Sequence, residues 1–148
     1  MTVGYFLDLL IINAIRKEKL GEALEYDTEL DLDKQDGFLL IEIGKTLLEI
    51  AAGKKPGTFS KHKNYDKTIA EITNNNLIEV IYKLYQRHSE LWDLEDLRRD
   101  KNNSDKTRLE ACDRVSIINK KRNDLVEMVD NIVNTRIRQT KLWGSSVD

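Results

Sequence analysis

The chain has 148 residues, enough for one domain with a hydrophobic core that needs no disulfide or structural metal. Charged residues make up 34 % of it, yet the net charge is only −2, which indicates solvated helix faces rather than a basic surface for nucleic acid. The single cysteine, Cys112, excludes an internal disulfide and any CxxC motif, so we expect a reducing, cytoplasmic location.

The first predicted element is a helix that begins after Thr2 as its N-cap and ends near Leu24. Asp8 and Asn13 interrupt its apolar run, which is far shorter than the roughly 20 residues that cross a bilayer, so we predict no membrane association. The apolar residues that recur at spacings of three and four, and so define its buried face, are Val3, Phe6, Leu7, Leu10, Ile11, Ala14 and Ile15.

Acidic residues dominate the next segment, residues 22–36, where seven acids stand against one base, Lys34. This balance predicts a solvated connection or a frayed helix end. A calcium-binding loop beginning at Asp31 is disfavoured, because Asp36 occupies the position at which an EF-hand loop needs glycine for its sharp turn.

A second helix is predicted to follow Gly37 and to end at Gly53. Its apolar residues wrap much of the helix circumference, which predicts a central place in the core. A basic loop at residues 53–64 comes next, and its lysines form a candidate anion patch for a small phosphorylated ligand. Nucleic acid is not expected as a partner, because few aromatic residues accompany these charges. The lysines of the patch are Lys54, Lys55, Lys61 and Lys63.

The last two predicted helices form a long antiparallel hairpin over residues 77–141, with a turn near Asn102. Ser104 or Asn103 is the predicted N-cap of the final helix. β-Branched alternation of the strand type is nearly absent and the chain has one proline, so the predicted fold class is all-α. We therefore predict a single domain, residues 1–148, in which two shorter N-terminal helices pack on a long antiparallel helical hairpin.

Polar residues interrupt the apolar row of the final helix, where Asn119 and Arg122 share a face with Val115 and Val126. A buried guanidinium needs a carboxylate partner. Glu95 is about 20 Å from Arg122 along the hairpin axis at 1.5 Å per residue, too far to pair with it. The remaining candidates are Glu79, Asp8, Glu42 or an acid from a second subunit. His88, on the apolar row of the preceding helix, is predicted to be a hydrogen-bonded core residue.

Two stretches of the hairpin, "LWDLEDLRRD" at 91–100 and "DRVSIINKKRNDLVEMVDNIV" at 113–133, carry a recognisable pattern. They resemble an uncharacterised bacterial all-helical family, a domain of unknown function, with the pattern WxxEDxxRD followed by NxxRxDxxExxD. The resemblance implies an all-helical fold and supplies no activity. This chain departs from the family pattern at Asp93 and at Val115-Ser116. The matching residues are Trp92, Glu95, Asp96, Arg99, Asp100, Asn119, Arg122, Asp124, Glu127 and Asp130.

Two hypotheses for function follow from these features. We favour a binding or assembly module without a cofactor, a homodimer in which a buried polar seam fixes register and partner choice. The seam residues are Trp92, Glu95, Arg99, Asn119, Arg122 and Asp124.

The alternative hypothesis is an enzyme, a magnesium-dependent nucleotide pyrophosphohydrolase of the all-α type. Carboxylates at helical i and i+3 spacing hold Mg²⁺ in such a site, and Glu127 with Asp130 supply one pair. Glu90 with Asp93 supply a second pair, about 24 Å away along the hairpin axis. A shared site would therefore need a dimer or a folded-back arrangement, and the sequence identifies no catalytic residue.

Overall fold

The computed structural model describes residues 1–54 and 76–145, with side chains up to residue 140. Four α-helices occupy this part of the chain, and no strand occurs in it, so the all-α prediction is confirmed. A single turn of 3₁₀ helix, Gly21–Ala23, joins the first two helices. The helices are α1 (Val3–Leu20), α2 (Tyr26–Ala51), α3 (Leu77–Arg99) and α4 (Asp105–Ser145).

Three of the four described helices, α1, α3 and α4, begin after polar residues whose side chains accept from otherwise unpaired N–H groups. The hydroxyl of Thr2 accepts from the N–H of Tyr5 over 3.2 Å, and the hydroxyl of Ser104 accepts from the N–H of Thr107 over 3.2 Å. The first bond confirms the prediction of Thr2 as an N-cap, and the second shows that Ser104, rather than the alternative Asn103, caps the last helix. The predicted end of α1 near Leu24 was late, because the chain tightens into the 3₁₀ turn at Gly21.

The antiparallel hairpin of α3 and α4 has the register that the turn near Asn102 predicted. Arg114 Nη2 donates to Glu90 Oε1 over 2.6 Å, and these residues lie twelve positions on either side of Asn102. α1 packs along the hairpin and contacts both of its helices. The largest buried cluster joins all three helices and consists of Ile11, Ile15, Val80, Leu84, Leu125, Met128 and Val129.

α2 differs most from its prediction. It begins at Tyr26, so most of the acidic segment is helical and Gly37 lies inside the helix. Asp27 and Glu29 lie in the first turn of α2, where negative charge interacts favourably with the helix dipole. Two later acids have their charge balanced by a lysine of α1. Lys17 of α1 donates to Asp33 and Asp36 at 2.5 and 2.7 Å, which also raises the pKa of Lys17.

α2 is also peripheral, whereas the sequence predicted it to be central. It packs mainly on α1 and, to a lesser extent, on α4. Its buried residues are Leu32, Leu39 and Thr46, which lie seven positions apart on one line of the helix. The prediction failed because α2 is apolar on two opposite faces and only one of them is covered by the described chain. Four large side chains on the uncovered side are about 60–70 % exposed: Phe38, Leu40, Ile41 and Leu48.

Candidate functional site

Among the polar and charged residues that the structure describes, Asp8, in α1, is the least exposed, at 3 %. Oδ1 of Asp8 lies 2.6 Å from Nε2 of His88 on α3, and both side chains are about 95 % buried. Because a carboxylate accepts, the bond places a proton on Nε2 of His88. The same Oδ1 lies 3.5 Å from Nε of Arg122 on α4. One acid therefore joins three helices, and we call these residues the Asp8 cluster.

Arg122 is the residue whose partner the sequence left open, and the structure gives it Asp8 of the same chain. The other candidates are bonded elsewhere: Glu79 accepts from Asn76, and Glu42 accepts from Lys45. Arg122 also donates to Oδ1 of Asn119 over 3.4 Å, one helical turn away. Its buried Nε has no hydrogen-bond partner among the described residues, so its contact with Asp8 is an ion pair rather than a hydrogen bond.

His88 was predicted to be a hydrogen-bonded core residue, and its bond to Asp8 confirms this. The bond itself was not predicted from the sequence. The available signal was the position of Asp8, a carboxylate on a helix row that is otherwise apolar and buried. Such a residue needs a cationic or donor partner from another helix, although spacing along one helix does not identify it.

The other predicted seam residues lie at a groove of about 260 Å³ between α1 and α3. Trp92, Glu95 and Arg99 line this groove, and His88 lines it too. Glu95 is held by Arg98 at 2.6 Å and by Arg99 at 3.5 Å. The predicted seam is thus divided between this groove and the Asp8 cluster, while Asp124 is half-buried on α4 and does not line the groove.

Asp130, a predicted magnesium ligand, instead receives the start of α1. Its Oδ1 accepts from the N–H of Gly4 over 2.7 Å, one of the N–H groups that a helix start leaves unpaired. Burial raises the pKa of Asp130, and the negative charge of Glu127 raises it further. Bonds from Thr2 and Gly4 and the charge of the N-terminal amine act in the opposite direction but do not cancel the effect of burial.

The second predicted pair of magnesium carboxylates, Glu90 and Asp93, is neutralised by cations, of which Arg87 lies on the same helix and Arg114 and Lys19 lie on other helices. Glu90 pairs with Arg87 and Arg114, and Asp93 pairs with Lys19 at 2.9 Å. Among the residues that the structure describes, no three His, Cys, Asp or Glu side chains come close enough together to hold a metal ion. The magnesium hypothesis remains a prediction that no contact described here favours.

The anion patch falls mostly outside the described residues. Lys54 is exposed just after α2, where Gly53 adopts a positive φ of 72° and ends the helix as predicted. Lys55, Lys61 and Lys63 lie outside the described residues, so the patch stays a prediction.

The raised pKa of Asp130 leads to a testable pH dependence. Since the folded state binds this proton more tightly than the unfolded chain, stability falls as the pH rises from 3.8 through the folded-state pKa. Asp130→Asn keeps an oxygen acceptor for Gly4 but loses the buried charge. We expect it to be at least as stable as the unmodified protein at pH 7, with the advantage vanishing near pH 3.5.

Urea unfolding at both pH values measures this difference. Asp130→Ala is the matched control, because it removes the acceptor as well and should cost about 1 kcal/mol at either pH. If Asp130→Asn loses as much stability as Asp130→Ala at pH 7, the negative charge of Asp130 stabilises the start of α1 instead of destabilising the fold, which would contradict the prediction.

The fold and the site together define an all-helical bundle whose polar interior is a cross-helix ion cluster. Residues 78–145 match the model of a family described as "Protein of unknown function (DUF4254)". The match spans nearly all of α3 and all of α4, and it confirms the resemblance to a domain of unknown function. α1 and α2, with Asp8, lie outside it. No curated protein and no solved structure matches the chain. In the described residues, no helix is long and apolar enough to cross a membrane.

Proposed function

We propose that this protein is an assembly module that forms a homodimer by packing the α2 helices of two copies against each other. The observation that carries the proposal is the second apolar face of α2, which lies opposite its buried residues. Soluble monomers rarely expose large contiguous apolar patches, and patches of this kind mark interaction sites. The proposal keeps the predicted homodimer but moves its interface from the polar seam to α2.

The spacing of the exposed residues is that of a helix that packs on another helix. Those that lie opposite the buried line alternate at four and three positions, which keeps one narrow line facing a partner over several turns. Phe38 and Leu40 are exposed on either side of this line. Residues buried against the rest of the chain occupy the opposite line of the helix. We call the exposed line the outer face, and its members are Leu30, Lys34, Gly37, Ile41, Gly44, Leu48 and Ala51, all exposed.

The polar seam itself does not call for a second subunit. Asp8 supplies the acid that Arg122 requires, and it comes from the same chain. Glu95 is likewise paired within its own helix. The buried polar groups therefore hold α1 on the hairpin, and the exposed apolar line of α2, rather than the seam, is the surface on which we expect a second copy to pack.

A charge on the outer face is expected to separate the two copies. Light scattering after size exclusion should give the unmodified protein twice the chain mass of 17.2 kDa. Ile41→Glu should give a single chain mass at the same concentration, because dimerisation would bury an unpaired carboxylate. The dissociation constant should rise at least tenfold.

Ile117→Glu is the matched control, since Ile117 is 56 % exposed on α4 and Ile41 is 59 % exposed on α2. This control should remain dimeric. A single chain mass for the unmodified protein throughout a concentration series would contradict the proposal, as would equal behaviour of the two variants.

A further inference from the structure

We infer that the two α2 helices pair antiparallel, with each glycine of the outer face against a large apolar side chain of the partner. This inference rests on the proposed dimer and specifies which residues meet in it. It is carried by three features of the outer face: the position of its glycines, the order of its small and large residues, and the distribution of charge along α2.

Gly37 and Gly44 lie in the interior of a 26-residue helix, where glycine weakens the helix relative to alanine. A Cβ at either position would meet no atom within 4 Å in the described chain. The described part of one copy therefore gives no steric reason for either glycine. Close approach of a second helix does, because a missing side chain leaves room for a partner's side chain.

Large and small residues of the outer face match each other across a dimer only when the two helices run antiparallel. With a two-fold axis between Glu42 and Ile43, Gly37 faces Leu48 of the partner subunit, and Ile41 faces the partner's Gly44. In each of these layers a large side chain meets a gap. A two-fold axis makes every such contact occur twice, which is the usual form of a homodimer interface.

A parallel pair would instead place identical residues opposite each other. Gly37 and Gly44 would each face their own copy and leave voids, and Lys34 would face the partner's Lys34, which brings like charges together. Voids forfeit contact energy and buried like charges repel, so the parallel arrangement is disfavoured by both packing and charge.

Charge along α2 favours the same direction. The first part of the helix, residues 26–36, has five acids and one base, whereas residues 37–54 have two acids and two bases. Antiparallel pairing sets the acidic part of one helix against the neutral part of the other. Parallel pairing would set the two acidic parts side by side.

Disulfide trapping tests the direction of pairing. In a Cys112→Ser background, Gly37→Cys and Leu48→Cys chains are prepared separately, one with a size tag, then mixed and oxidised. The antiparallel pair should yield the mixed disulfide as the main crosslinked product. Neither variant should crosslink to itself, because in this register the two copies of residue 37 are about 16 Å apart at 1.5 Å per residue, beyond disulfide reach.

Efficient self-crosslinking of Gly37→Cys with little mixed product would overturn the antiparallel inference and leave the proposed dimer standing. A single chain mass for the unmodified protein would remove the dimer and the inference together. Light scattering of both reduced variants, with circular dichroism, identifies any variant that lost its fold or its partner. In that case Lys34→Cys mixed with Ala51→Cys repeats the test one layer further along, with the same two outcomes.

Discussion

Asp8→Ala is expected to destabilise the protein by about 2–4 kcal/mol, because it leaves the buried N–H of His88 and the guanidinium of Arg122 without their shared acid. The lower end of this range applies if water hydrates the guanidinium of Arg122 in the variant, because that side chain is only partly buried. Urea unfolding at pH 7 measures the loss.

Asp93→Ala is the matched control for Asp8→Ala. Asp93 also pairs with a cation from another helix, Lys19 at 2.9 Å, but its side chain is 63 % exposed. An exposed ion pair is worth about 1 kcal/mol or less, so the two variants should differ by at least twofold in their effect. Equal losses would contradict this, because they would mean that burial does not make the contacts of Asp8 more stabilising than the exposed pair of Lys19 and Asp93.

Gly4→Ala is expected to destabilise the protein by about 1–3 kcal/mol, the second of the two largest effects. A Cβ at this position would overlap the backbone carbonyl oxygen of Val126 and lie 3.0 Å from Oδ2 of Asp130. A backbone atom cannot rotate away, so α1 would have to move off α4 and lengthen the bond from Gly4 to Asp130. Thermal unfolding followed by circular dichroism measures the effect.

The control for Gly4→Ala is Gly37→Ala in the Ile41→Glu background, in which the proposed dimer is absent. Gly37 is surrounded by open space in the described chain. Alanine there should raise the free energy of unfolding by up to about 1 kcal/mol, because alanine favours the helix more than glycine does. The same substitution is thus expected to have opposite signs at two helical glycines. An increase in stability for Gly4→Ala would contradict the prediction, because it would mean that α1 can shift away from α4 at little energetic cost.

Much of the bundle was predictable from local patterns in the sequence. The N-caps at Thr2 and Ser104, the turn near Asn102 and the hairpin register all depend on residues close together in the chain. α2 was mispredicted for two physical reasons. Its acids are typical of a solvated loop but are equally favourable in the first turn of a helix. Gly37 was predicted to be the residue before the helix, yet glycine also occurs inside a helix where a small residue is needed. Apolar residues around a helix also do not distinguish a core helix from one with two separate interaction faces.

The sequence by itself determined α1, the two helices and the direction of the hairpin, and the need of Arg122 for an acid, because propensity, capping and desolvation act through neighbouring residues. Only the tertiary structure decided that Asp8 supplies this acid, since their contact spans more than a hundred residues and several acids met the same chemical requirement. It also decided which side of α2 is covered. Burial depends on how whole helices pack, and the packing of the four described helices leaves one of two similar apolar faces of α2 exposed.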